Sequence, residues 1–127
     1  MQNRLLILLI ALLVSVAARA QTCPPINEIN IANPPVGWKL LLPPQIEGQT
    51  YHFGKAIHSL NGSFFYGQVI CEYETCNSFD CPAIELLSDA TYAKPYSIGG
   101  NWTQRANIAE TIMCAPANHD PALCVFE

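Results

Sequence analysis

Residues 51–75 read YHFGKAIHSLNGSFFYGQVICEYET. Asn61-Gly62 is a two-residue turn signal, because both residues tolerate positive φ. The arm after it, Ser63 to Thr75, holds Phe64, Phe65, Tyr66, Val69, Ile70 and Tyr73, side chains that pack well on a pleated surface. Val69, Cys71 and Tyr73 fall on one face of that arm; Gln68, Ile70, Glu72 and Glu74 fall on the other. The first face is apolar, so it points to the core, and a bond from Cys71 runs inside the domain. Gly67 interrupts the arm and marks a bulge or bend. The expected fold is mainly β: a small antiparallel sheet, curled or barrel- or sandwich-like, stapled by disulfides, with at most one or two short helices.

Before the hairpin, the proline pairs Pro24-Pro25, Pro34-Pro35 and Pro43-Pro44 exclude helix. Between the last two pairs, Trp38, Leu40 and Leu42 share a face, which predicts a short strand. After the hairpin, Pro82 to Leu87 suits a short helix with proline in its first turn; a strand is the alternative. Tyr92 to Ile98 reads as extended and ends at Gly99-Gly100. Residues 104–114 fit both periods, and the β-rich context favours strand. Pro116 to Pro121 reads as a turn-rich loop. Cys124-Val125-Phe126 reads as a terminal strand.

Residues 1–20 have the layout of a signal peptide. Arg4 supplies the positive end, Leu5 to Ala18 an apolar run, and Ala18-Arg19-Ala20 the small residues of a cleavage site. The run spans about 14 residues, short of the roughly 20 that cross a bilayer. Residues 21–127 are then one domain, periplasmic or secreted, with no membrane contact once the signal is cut after Ala20. Such a compartment is oxidising. All six cysteines follow the cut: Cys23, Cys71, Cys76, Cys81, Cys114 and Cys124. Their spacing lacks the close pairs of zinc sites and the C-x-x-C of redox sites, so three bridges are expected and no metal. Six cysteines allow many connectivities. Locality favours Cys76–Cys81, worth about 2 kcal/mol in the loop-entropy model, and then Cys114–Cys124. Cys23–Cys71 follows, worth roughly 4 kcal/mol. An exchange among the last four cysteines is a rival.

The whole chain carries a formal charge of −4, and without Arg4 and Arg19 it carries −6. Lys39, Lys55, Lys94 and Arg105 are the remaining cations. Four scattered cations give no nucleic-acid footprint, whereas a cationic protein partner would be attracted.

Candidate chemistry is sparse. By strand parity, His52 and His58 face the same side, ~20 Å apart, too far to share a metal or a proton; surface positions are the simplest reading. His119 adjoins Asp120, with no nucleophile beside it. Ser59, Ser63, Ser78, Ser88 and Ser97 lack a nucleophile-elbow context. Glu72 and Glu74 project from one face about 7 Å apart, which overlaps the spacing of inverting glycosidase carboxylates; a solvated strand face produces such pairs routinely. Asn61-Gly62-Ser63 and Asn101-Trp102-Thr103 match the glycosylation pattern. No catalytic, cofactor-binding or metal residue is expected.

Several short motifs resemble a family. They are Cys23-Pro24 with an isoleucine after it, Gly37-Trp38-Lys39, Phe53-x-x-Ala56, Gly67-x-Val69-x-Cys71-x-Tyr73, Cys114, and Cys124-x-Phe126. They resemble small exported proteobacterial proteins that carry a domain of unknown function, over most of the mature chain. Cys76 and Cys81 stand outside that pattern as an added local bridge. The resemblance implies a periplasmic or secreted setting and points to no particular activity, cofactor or catalytic residue. The expected function, read from the residues, is an exported, non-enzymatic binding protein. An acidic inhibitor of a cationic enzyme, such as a lysozyme or protease, is the first alternative. A small hydrolase using Glu72, Glu74 or His119 is the second.

Overall fold

The computed structural model describes residues 21–44, 49–59, 66–76, 83–92, 101–104 and 111–127. They form one antiparallel sheet of six strands: β1 (Trp38–Leu42), β2 (His52–Ser59), β3 (Gln68–Glu74), β4 (Ala83–Thr91), β5 (Thr103–Gln104) and β6 (Thr111–Cys114). The strand order is β1-β4-β3-β2-β6-β5. The protein is mainly β; the only helical elements among the described residues are two single 3-10 turns, Ile26–Glu28 and Pro121–Leu123. The sheet is uncurled. It does not close on itself, since β1 and β5 lie at opposite edges.

β2 and β3 pair as the hairpin expected from residues 51–75; the Asn61-Gly62 turn itself lies outside the described residues. β3 alternates as its sequence dictates, with Val69, Cys71 and Tyr73 fully buried and the residues between them half-buried. Cross-strand partners extend this face. Phe53 and Ala56 lie opposite Tyr73 and Cys71. Ile84 and Leu86 lie opposite the same two residues from the other side. Ile112 and Cys114 continue the face on β6. Segment 83–91 is thus a strand and not the short helix first expected. Its Ile84 and Leu86 alternate into a core that β3 has already opened, and burial on a sheet overrides the N-terminal proline signal. The described part of 104–114 is strand, as its context favoured.

The chain ends cover the core face. Gln21 and Phe126 form an antiparallel bridge with backbone bonds of 2.8 and 2.9 Å. Phe126 is fully buried, and the rings of Tyr92, Trp38 and Trp102 approach it edge-on at 4.6, 6.2 and 6.4 Å. Edge-to-face contact suits the positive rim and negative face of aromatic rings. The Trp102 Nε1 hydrogen donates to the Val125 carbonyl at 2.8 Å. Cys23–Cys71 ties the first residues to the middle of β3, and Cys114–Cys124 ties β6 to the last turn. Both bonds are buried. No cysteine is free among the described residues; the expected Cys76–Cys81 bond involves residue 81, outside them.

Two irregularities reshape the ladder. β2 shifts register against β3 between Phe53 and Lys55. There Gly54 lies under Glu74, and a Cβ on it would stand 2.5 Å from the Glu74 carboxyl carbon. β4 shifts against β3 between Gln68 and Ile70, just after Gly67 at φ +75°. Buried Ser88 fills that gap. Its hydroxyl accepts from the Val69 N–H at 2.8 Å and donates to the Ala90 carbonyl at 2.8 Å. Among the described residues, no helix is long and apolar enough to cross a membrane.

Candidate functional site

The Gly54 bulge decides where the histidines go. One extra residue in β2 inverts the parity of everything beyond it. His52 lies opposite Glu74, on the outer face, whereas His58 lies opposite Val69, on the core face. The same-side expectation is therefore corrected, and so is the surface placement of His58, which is fully buried. Its Nε2–H donates to the Tyr92 carbonyl at 2.6 Å. Its Nδ1 is buried without a hydrogen-bond partner. Burial holds the imidazole pKa below its usual value, against the opposing pull of the Tyr92 and Gly67 carbonyls.

His119 sits on the loop closed by Cys114–Cys124, with φ at 59°, a conformation unusual for a side-chain-bearing residue. Its Nδ1–H donates to the Phe53 carbonyl at 3.1 Å, and its ring lies 4.1 Å from that of His52. The neighbouring Asp120 carboxylate instead accepts from the Ala122 N–H at 3.0 Å and caps the 3-10 turn. These hydrogen bonds of His119 and Asp120 are thus each made to a backbone group.

The outer face gathers charge on three adjacent strands. The Lys55 ammonium lies 3.2 Å from Glu72 and 3.3 Å from Glu74, and Glu85 lies directly across from Glu72. These side chains are not the fully solvated pair expected from alternation: Glu72 and Glu74 are 16% and 14% exposed. Burial raises the Glu74 pKa, helped by the Glu72 carboxylate and opposed by Lys55. Burial also raises Glu85, followed by the charge of Glu72. One ammonium thus bridges two carboxylates on neighbouring positions of β3. No group of three or more His, Cys, Asp or Glu side chains suited to a metal ion occurs among the described residues.

Among the described residues, the exposed large apolar side chains are Ile26, Ile31, Val36, Tyr66 and Leu123, and the first three lie together on residues 25–37. This segment leaves the Cys23–Cys71 anchor, where the buried Tyr73 hydroxyl donates to the Pro24 carbonyl. Ile26–Glu28 makes a 3-10 turn, Ile29 packs inward against the core, and the Asn30 side chain accepts from the Ala32 N–H at 3.0 Å. Pro34 and Pro35 then lead into a turn closed by Trp38 N–H to Pro35 carbonyl at 3.1 Å. Gly37 at φ +91° completes it; a Cβ there would meet nothing within 4 Å, so conformation and not space calls for glycine. The Asp89 N–H bonds the Gly37 carbonyl at 2.9 Å and pins the turn to β4. Val36, at the tip, is 103% exposed, and Ile31 and Ile26 are 46% and 36% exposed. The proline pairs signalled a non-helical segment, but no sequence signal separates the inward Ile29 from the outward Ile26, Ile31 and Val36.

Of the two glycosylation patterns, Asn61 lies outside the described residues. Asn101 is exposed, but its side-chain N–H donates to the Leu123 carbonyl at 3.0 Å. In comparisons with known proteins, no family model, no curated protein and no solved structure matches this chain.

Proposed function

We propose that this is an exported, non-enzymatic binding protein whose contact surface is the segment 25–37. The observation that carries the reading is Val36: a wholly exposed aliphatic side chain on a turn held by two backbone hydrogen bonds and stiffened by prolines. A rigid apolar projection is costly in water but binds with little loss of conformational freedom. Ile26 and Ile31 add aliphatic area to the same segment, and Glu28 is its one charged residue. The buried disulfides support export, since such bonds persist in oxidising compartments; the signal-like residues 1–20 and the resemblance to small exported proteobacterial proteins support it too.

The inhibitor reading rests on the net charge of −6 outside the leader. A peptidase cleft reads extended backbone, whereas the tip is a closed turn with Gly37 at φ +91°. Inhibition of a cationic enzyme would therefore act through charge and would weaken with salt.

Affinity capture from the native extracytoplasmic fraction tests the proposal, with the oxidised protein and its Val36→Asp variant immobilised in parallel. The expected result is a protein held by the wild type at both low and high salt and lost by the variant. Equal retention by both, or retention that vanishes with salt alone, contradicts it.

A further inference from the structure

We infer that His58 is an acid-operated latch: its neutral ring clips Tyr92 to the core side of β2, and protonation opens the clip. The inference is independent of the proposed contact surface. Its basis is the fit of one ring to one protonation state. The Nε2–H already donates to the Tyr92 carbonyl. A carbonyl only accepts, so the neutral ring carries its proton on Nε2 and leaves Nδ1 as a bare acceptor. That atom is buried without a partner. Protonating it places a second N–H and a full positive charge inside the core, where an unpaired charge is costly.

Among the described residues, the groups that face the ring offer no counter-charge. β3 places Val69 opposite the ring, and β6 places Ile112. The segment at Tyr92 contributes its carbonyl and its phenol, whose own pKa burial raises. The Gly67 carbonyl also faces the ring and eases its protonation, but it is shared with the Tyr92 N–H at 2.7 Å and brings no charge, and the net effect of the site still disfavours the charged ring. The buried residues among those described include no carboxylate. Tyr92 is thus held twice, through its carbonyl by His58 and through its N–H by Gly67, and its ring lies 4.6 Å from Phe126. Opening the clip frees the end of β4 from the aromatic cluster that closes the core.

For a group whose folded pKa is depressed, the stabilisation is present above the unfolded value and is lost as pH falls through the folded one. The window therefore opens below about pH 6.5, with at most about a tenfold loss of folding constant per pH unit. Glu74 and Glu85 act with the opposite sign, so the latch is read as a difference between variants. His58→Gln retains an amide N–H for the Tyr92 carbonyl and cannot titrate.

Amide exchange at Tyr92, corrected for intrinsic rate, and urea midpoints are measured from pH 7.5 to 5 for both proteins. The expected result is that Tyr92 protection and the midpoint fall with acid in the wild type relative to His58→Gln, by up to tenfold per unit in protection. Parallel profiles overturn the latch. If His58→Gln does not fold, imidazole nitrogen shifts of the wild type decide. Protonation accompanied by loss of Tyr92 protection sustains the inference, and a protonated ring with Tyr92 still protected overturns it.

Discussion

Gly54 of β2 lies directly beneath the Glu74 side chain of β3, leaving no room for a methyl group between them. This contact sits at the register shift that sends His52 outward and His58 inward. An alanine at 54 must push the Glu74 carboxylate off Lys55. Gly54→Ala is expected to cost about 1 kcal/mol, the scale of a partly exposed ion pair. The cost should shrink in a Glu74→Ala background. Urea unfolding of the double-mutant cycle measures the difference; equal costs in both backgrounds would separate Gly54 from the ion pair.

Ser88 closes the second break in the ladder. Ser88→Ala leaves the Val69 N–H without its partner at a buried site. A loss of about 1–3 kcal/mol is expected, with faster amide exchange at Val69. A change near zero would mean that the backbone closes the gap unaided.

The outer-face carboxylates set a pH dependence of definite sign. Glu74 and Glu85 have folded pKa values raised above the unfolded value. Their contribution is therefore fully present below the unfolded pKa and is lost as pH rises through the folded one. Glu85→Gln should raise the urea midpoint at pH 7 and leave it nearly unchanged at pH 4. A lower midpoint at pH 7 would contradict the assignment.

The two described disulfides differ in reach. Cys23–Cys71 spans 48 residues and Cys114–Cys124 spans 10. In the loop-entropy model their removal costs about 4 and about 3 kcal/mol. The Cys23→Ser/Cys71→Ser protein should be the less stable of the two double variants by thermal unfolding. The reverse order would show that local strain, and not loop closure, governs them.

Much of this fold is legible in the sequence because alternation is a strong signal where one face is buried. Val69, Cys71 and Tyr73 point to the core as their spacing requires, and Cys71 meets Cys23 there. Parity fails only where the chain departs from regular pairing. Gly54 looks like an ordinary strand glycine until Glu74 is seen lying over it, and that single bulge moves His58 into the core. Ser88 gives no sign that it will fill a gap three residues wide in β4. Segment 82–87 is short enough to satisfy either period, so the sheet beside it decides. The exposed aliphatics of 25–37 are least legible of all. Ile26, Ile29, Ile31 and Val36 are alike as aliphatic residue types, and only the pinned turn and the inward Ile29 sort them.

The proposed contact surface is tested most directly by amide exchange on the protein alone and in complex with the partner that it retains. Slower exchange concentrated at residues 26–37, with β3 on the outer face unchanged, is the result predicted here. Protection confined to the Glu72, Glu74 and Glu85 face, with the Val36 turn unaffected, would contradict it.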